Sequence, residues 1–203
     1  MKKLITLFIF IGIINIANAQ FFVEANLKGG TGMLNYSANF PKAEFSYGGG
    51  LNFGYELKKH LFFNTGFDYY RINFQIYYLM PDIYYTDNRP SSSNGPVQQG
   101  YNYFTIPLKI NYYYQFKNNI RLYAGIGLIC AVTNGNRDNI SNNFSSEWSL
   151  GDTGELGIGY KIKNILLTLS GEYSVMNNIH SFGMARKTKA YFYGLNIGLR
   201  YYF

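Results

Sequence analysis

The chain has 203 residues, enough for one domain, with one cysteine, 19% aromatic and 14% charged residues. Soluble domains usually carry about 25% charge, and a single thiol excludes an intrachain disulfide and a thiolate metal cluster. The formal charge of +7 points to nucleic acid only in a chain that meets it, and the first segment argues for export instead.

That segment runs from Met1 to Ala19. Lys2 and Lys3 form a basic region. Leu4 to Ile16 is an apolar run interrupted by Thr6, Gly12 and Asn15, and Ala17-Asn18-Ala19 is a small-residue cleavage site. The pattern predicts a cleaved signal peptide over residues 1–19 and a mature domain over 20–203 that starts at Gln20. The run is shorter than the roughly 20 residues of a spanning helix, and no cysteine follows the cleavage site to carry a lipid. Without Lys2 and Lys3 the mature chain has 16 basic and 11 acidic residues, a surplus assigned to loops and lumen. No later apolar run approaches helix-spanning length, so the exported domain is a soluble β-protein or a membrane β-barrel.

Strand faces alternate with period two, and eight segments show it in chain order. Phe21, Val23, Ala25 and Leu27 oppose Glu24, Asn26 and Lys28. Phe45, Tyr47, Leu51, Phe53, Tyr55 and Leu57 oppose Ser46, Asn52, Glu56 and glycines at 48, 50 and 54. Leu61, Phe63, Phe67 and Tyr69 oppose Asn64, Gly66 and Asp68. Beyond Tyr70 the apolar parity moves to Ile72, Phe74 and Ile76, which requires either a bulge near Arg71 or a strand leaving the membrane there.

The fourth segment is YNYFTIPLKINYYYQF, residues 101–116. Phe104, Ile106, Leu108, Ile110, Tyr112, Tyr114 and Phe116 oppose a mixed face with Thr105, Pro107, Lys109, Asn111 and Tyr113. Proline donates no ladder bond, and a closed barrel has no edge to host it, so a bulge or an unpaired carbonyl is expected opposite Pro107. Next, Leu122, Ala124, Ile126, Leu128, Cys130 and Val132 oppose Arg121, Tyr123, Gly125 and Gly127. Leu156, Ile158, Tyr160 and Ile162 oppose Glu155, Gly157, Gly159 and Lys161. Ile165, Leu167, Leu169, Tyr173 and Val175 oppose Thr168, Ser170, Glu172 and Ser174. Finally Tyr191, Tyr193, Leu195, Ile197, Leu199, Tyr201 and Phe203 oppose Phe192, Gly194, Asn196, Gly198 and Arg200.

Charge falls on one face of each segment and not on the other. A Lys or Arg facing lipid costs about 2–4 kcal/mol at the bilayer midplane, a cost that selects charge-free faces. A soluble barrel would instead put its apolar face inside and a charge-rich one outside. Here the second face is rich in Gly, Asn and Ser, which suits a crowded lumen. The expected fold is all-β: an eight-stranded antiparallel up-and-down transmembrane barrel.

Connections alternate short and long. Lys58-Lys59, Lys117-Asn118-Asn119 and Lys163-Asn164 are tight turns, while 35–44, 79–100, 134–148 and 178–188 are longer and polar. Bacterial barrels have short periplasmic turns and long outer loops, which places both mature termini in the periplasm of a bacterial outer membrane. Trp148 fits an interfacial anchor.

The chain ends Leu199-Arg200-Tyr201-Tyr202-Phe203. An aromatic end on an alternating strand resembles the signal that hands outer-membrane barrels to their assembly machinery, with Phe203 as the signal residue. Phe104-Thr105-Ile106-Pro107-Leu108 resembles the Ile-Pro-Leu strand of the PorT-like outer-membrane β-barrel family of Bacteroidota-type bacteria. The resemblance implies this barrel fold. Some members of that family are linked to protein secretion and gliding, and most have no assigned activity.

An eight-stranded barrel is just wide enough for side chains to fill. Inward positions hold Glu24, Glu56, Asp68, Glu155 and Glu172 against Lys28, Lys109, Arg121, Lys161 and Arg200, which predicts packed ion pairs. Neighbouring-strand placement pairs Arg200 with Glu24 and Asp68 with Lys109. Chemistry is sparse. His60 sits at a turn, His180-Ser181 and the acids Asp82, Asp87 and Asp152 are placed in loops, and no His/Cys cluster has metal spacing. Gly-x-Gly at 48–50, 125–127 and 157–159 precedes no helix, so none is a phosphate loop. No cofactor and no nucleic acid is expected. The expected partners are outer-membrane lipid, the assembly machinery and a secretion or surface-complex protein.

The loop at 81–100 carries Ile83, Tyr84, Tyr85 and Arg89, residue types that anchor binding surfaces. Three functions follow: a structural or interaction barrel accessory to secretion or surface attachment; a narrow pore for ions or small solutes; and a lipid-acting enzyme using His180-Ser181.

Overall fold

In a computed structural model, residues 20–35, 42–57, 60–76, 97–135, 147–178 and 188–203 are described. They form β1 (Gln20–Asn35), β2 (Lys42–Leu57), β3 (Leu61–Ile76), β4 (Val97–Gln115), β5 (Ile120–Gly135), β6 (Glu147–Ile162), β7 (Ile165–Asn178) and β8 (Thr188–Tyr202). Each strand pairs antiparallel with the next, and β8 returns to β1, so the sheet closes as a barrel. Closure leaves the sheet no free edge, the requirement for any sheet that crosses hydrocarbon.

The alternation sorts side chains as the sequence predicts. Leu27, Leu51, Leu108, Ile126, Leu156, Leu195 and Ile197 are exposed on the outward face, while Lys28, Asp68, Lys109 and Glu172 are buried on the inward one. Aromatic rings bracket the outward aliphatic band. Phe21, Tyr112, Tyr114, Tyr160, Tyr201 and Phe203 lie toward the turn end, and Phe45, Tyr47, Phe67, Phe104, Trp148 and Tyr193 toward the loop end. Such girdles mark the two membrane interfaces.

The strands run further toward the loop end than the alternation indicates. β4 starts at Val97 and β6 at Glu147. Ladder bonds join main-chain atoms, so pairing persists where side chains no longer alternate. Asp152, expected in a loop, therefore lies within β6, exposed and opposite Leu128 and Val175.

The parity change in β3 has a specific cause. Even-numbered residues stay inward through Phe74, and the β3–β4 register is unbroken there. What changes is the lumen, which turns apolar around Ile72 and Phe74, while the outward face turns polar at Arg71 and Asn73. The irregularity is in β2 instead, where the register shifts by one residue between Ala43 and Tyr47. There the Asn73 N–H donates to Ser46 Oγ at 3.0 Å, and Asn73 Nδ2 donates to the Phe45 carbonyl at 2.8 Å. Side chains thus replace ladder bonds at the bulge.

Pro107 interrupts the β3–β4 ladder without shifting it. Thr65 pairs with Leu108 and Asp68 with Thr105 in one register, and the two positions between them drop out. The ladder to β5 continues through Pro107 opposite Ile129. The missing N–H costs β3 its partner at Gly66, and no bulge forms. At the turn end, Phe116 N–H donates to Ile120 O at 2.8 Å, and His60, Asn119 and Lys163 take positive φ of 72°, 66° and 53°. Lys58 and Lys59 lie outside the described residues.

Gly30 and Gly171 give a test of wall packing. A Cβ on Gly30 would lie 2.1 Å from the Tyr193 carbonyl oxygen, whereas one on Gly171 meets nothing nearer than 4.0 Å. Gly30→Ala is expected to destabilise the barrel by about 1–3 kcal/mol through overpacking, with Gly171→Ala near neutral. Urea unfolding in lipid vesicles, followed by the heat-modifiable gel shift, measures both.

Candidate functional site

Inward side chains stack in layers along the barrel axis. At the turn end Phe22, Phe62, Tyr113, Tyr123, Leu166 and Tyr202 form a buried cluster. Two ion pairs are packed into it. Arg200 and Glu24 are register partners on β8 and β1, with Nη2 and Nε 2.7 and 2.8 Å from Oε2. The Arg200 guanidinium lies 4.1 and 4.3 Å from the ring centres of Phe22 and Phe62. Arg121 grips Glu56 with two bonds of 2.7 and 3.2 Å, and Tyr113 and Tyr202 donate to the same carboxylate at 2.5 and 2.8 Å. Lys161 Nζ sits 4.8 Å from the Tyr202 ring centre, and among the described residues no carboxylate lies within salt-bridge distance of it.

An amide layer follows. Asn26, Asn52, Asn111 and Asn196 are buried on four strands, with Ser170 on β7 at the same level. Asn111 Nδ2 donates to Asn64 Oδ1 at 2.9 Å. The Asn111 and Asn52 oxygens occupy the space over Gly125 and Gly66, 1.7 and 2.3 Å from where a Cβ would stand.

Above it lies the second ion cluster. Lys28 Nζ is 2.7 Å from Asp68 Oδ2 and 2.9 Å from Glu172 Oε2. Lys109 Nζ is 3.0 Å from Glu155 Oε2 and 3.7 Å from Glu172 Oε2. Tyr70 donates its hydroxyl proton to Glu172 Oε1 and accepts a bond of 2.6 Å from Lys28. Glu172 thus joins both lysines. Nearer the loops, Tyr70, Ile72, Phe74, Tyr103, Ile129, Ala131, Met176, Ala190 and Phe192 pack into an apolar plug.

The pairing of Asp68 with Lys109 is corrected. Asp68 stands opposite Thr105 and Lys109 opposite Asn64, four residues apart on adjoining strands. Each charge instead reaches over a glycine strand to the second neighbour. Lys28 crosses β2, where Asp68 Oδ1 fills the site of a Gly50 Cβ at 1.9 Å, and Lys109 crosses β5 over Gly127 to Glu155. The inward glycines at 48, 50, 125 and 127 were the sequence signal for this. The packing of the inward aromatics Phe22, Phe62, Tyr113 and Tyr202 on the arginine pairs had no place in the expected network of charges.

Phe203 is exposed, and its N–H donates to Phe21 O at 3.0 Å, which ties the C-terminus into the closing seam. Ile83, Tyr84, Tyr85, Arg89, His180 and Ser181 lie outside the described residues. Cys130 is half-buried on β5. Among the described residues no group of His, Cys, Asp and Glu has the arrangement of a metal site.

A closed eight-stranded wall, apolar outside, girdled by aromatics and filled with paired charge, defines an outer-membrane β-barrel protein. The chain matches the outer membrane protein beta-barrel domain family over residues 4–203 and belongs to it. Its fold is similar to Neisserial surface protein A, at TM-score 0.60 and 18% identity, over 91% of this chain and 99% of that one. It is also similar to the outer membrane protein OprG from Pseudomonas aeruginosa, at TM-score 0.57 and 15% identity, over 91% and 96%. A search of curated proteins finds no match. Membership places the protein in the bacterial outer membrane, in contact with its lipid.

Double-mutant cycles test the cluster. Lys28→Met is expected to cost about 3–5 kcal/mol, because it strands the buried Asp68 carboxylate; Asp68→Asn should cost less, because Lys28 keeps Glu172, and the two should couple strongly. Asp68→Asn with Lys109→Met should couple less. Equal coupling in unfolding experiments would contradict the observed pairing.

Proposed function

We propose that this protein is a closed barrel with a structural or interaction role and not an open pore. The observation that carries the reading is the lumen's stacking: an apolar plug toward the loops, the Lys28–Lys109–Glu172 ion cluster and an amide layer beneath it, and at the turn end an aromatic cluster with two further ion pairs packed into it. A permeating ion would have to break those pairs and move the rings aside. With the interior filled, recognition falls to the loops.

The same reading assigns the loop end to the cell exterior and both mature termini to the periplasm, with residues 1–19 removed on export. It treats Phe203 as the handle for the assembly machinery. It also takes the Ile106-Pro107-Leu108 strand as a mark of the PorT-like group, with a role accessory to protein secretion or surface attachment. Ile83, Tyr84, Tyr85 and Arg89 are its contact candidates. Nothing in the described lumen supports a lipid-acting enzyme, and that reading would rest on His180 and Ser181 alone.

Purified protein in planar bilayers is expected to give no stable unitary current steps. Reproducible steps that change conductance in Glu172→Gln would identify a pore and sink the closed-barrel reading.

A further inference from the structure

Arg71 lies on the outward face of β3, at the level where the aromatic girdle gives way to polar residues. Tyr47 and Tyr69 are its register neighbour and its chain neighbour two positions below. A charge on this face belongs in the headgroup layer, and the structure holds it there in one orientation. Its Nε donates to Asn73 Oδ1 at 3.2 Å, and its Nη1 to Asn102 Oδ1 at 2.9 Å. Both amides are themselves tied down. Asn73 Nδ2 donates to the Phe45 carbonyl at 2.8 Å, and Asn102 Oδ1 also accepts from the Tyr69 hydroxyl at 2.9 Å.

The guanidinium lies over β4 at Gly100. A Cβ there would stand 2.7 Å from Nε and 2.8 Å from Nη2, so the glycine makes room for it. Gly100 is buried by this contact although its parity is outward. Among the described residues no carboxylate comes within 4.0 Å of the guanidinium, in contrast to Arg121 and Arg200, which are paired in the lumen. Among the described residues the asparagines occupy two of the five N–H groups, which leaves Nη2 and one Nη1 hydrogen to donate. A surface arginine needs no such scaffold to stay hydrated. A fixed planar fork beside aromatic rings is a receptor for a tetrahedral oxyanion, held by two parallel N–H bonds.

We infer that Arg71, set by Asn73, Asn102 and Gly100, binds the phosphate of a lipid headgroup in the leaflet at the loop end. The placement within the girdle, beside the exposed ring of Tyr47 and above that of Phe67, favours a phosphate on a lipid over one free in solution, because the acyl chains then lie along the Phe67 ring. The class of lipid rests on the proposed orientation: with loops outward, it is a phosphorylated glycolipid of the outer leaflet.

Native mass spectrometry of folded protein in detergent tests this with bisphosphorylated lipid A and its dephosphorylated counterpart. Wild type is expected to retain the phosphorylated form preferentially. Arg71→Ala should reduce that retention about ten-fold, the size of a lost charge-assisted contact. Arg71→Lys should fall between them, because it keeps charge and loses the fork. Asn102→Ala, which frees the fork and keeps the charge, should also weaken retention, while Lys189→Ala should not. The heat-modifiable gel shift checks that each variant is folded. Equal retention of the two lipids, no effect of Arg71→Ala, or displacement by millimolar inorganic phosphate as effective as by the lipid would overturn the assignment. The measurement needs neither a closed lumen nor a particular orientation, so it fails or succeeds separately from the conductance experiment.

Discussion

Charge inside a narrow wall has to be met inside that wall. Lys28, Lys109 and Glu172 have fully or almost fully buried side chains, at 0%, 3% and 0% exposure, where an unpaired ion costs several kcal/mol. Glu172 answers both lysines at once, and Tyr70 holds its other oxygen. Most of the lumen's remaining features follow from making that arrangement reachable. Glycines on β2 and β5 let Lys28 and Lys109 pass over a strand, and the asparagine layer separates the upper cluster from the Arg121–Glu56 and Arg200–Glu24 pairs below. The aromatic cluster at the turn end packs directly on the lower pairs, and the apolar plug at the loop end caps the upper cluster.

The outer surface obeys the complementary rule. Lipid supplies no counter-charge, so the outward band is largely aliphatic; of the described outward charges of β3 and β6, Arg71 stands near the loop-end girdle, whereas Asp152 lies deeper, four residues from Trp148 and opposite Leu128. One wall thus separates two regimes. The period-two side-chain pattern is what allows a single strand such as β4 to satisfy both, with Leu108 in lipid and Lys109 in the lumen.

This explains how much could be read beforehand. Strand number, parity, antiparallel order and the membrane setting follow from a sharp physical penalty that acts on every strand, so they are written in residue types such as Leu122 against Arg121. The Glu24–Arg200 contact was accessible because the two residues are register partners at the closing seam. The Asp68 and Lys109 partners were not, because the inward glycines mark room to cross a strand, while barrel shear decides which charge is met on the far side. Ile72 and Phe74 misled for a related reason: parity assigns faces only if the lumen is assumed polar, and its loop end is not. Pro107 marked the right place in the β3–β4 ladder: of the two outcomes expected there, a bulge or an unpaired carbonyl, the ladder skips two positions with its register kept, and no bulge forms.

The central claim is that the amide and ion layers are sealed from solution. A single cysteine at Ser170, 2% exposed and level with the asparagines, reports on that directly in a Cys130→Ser background. Reconstituted in vesicles, Ser170→Cys should resist a small charged methanethiosulfonate reagent that readily modifies a cysteine placed at exposed Lys117. Modification of both at similar rates would show an open aqueous lumen and contradict the account.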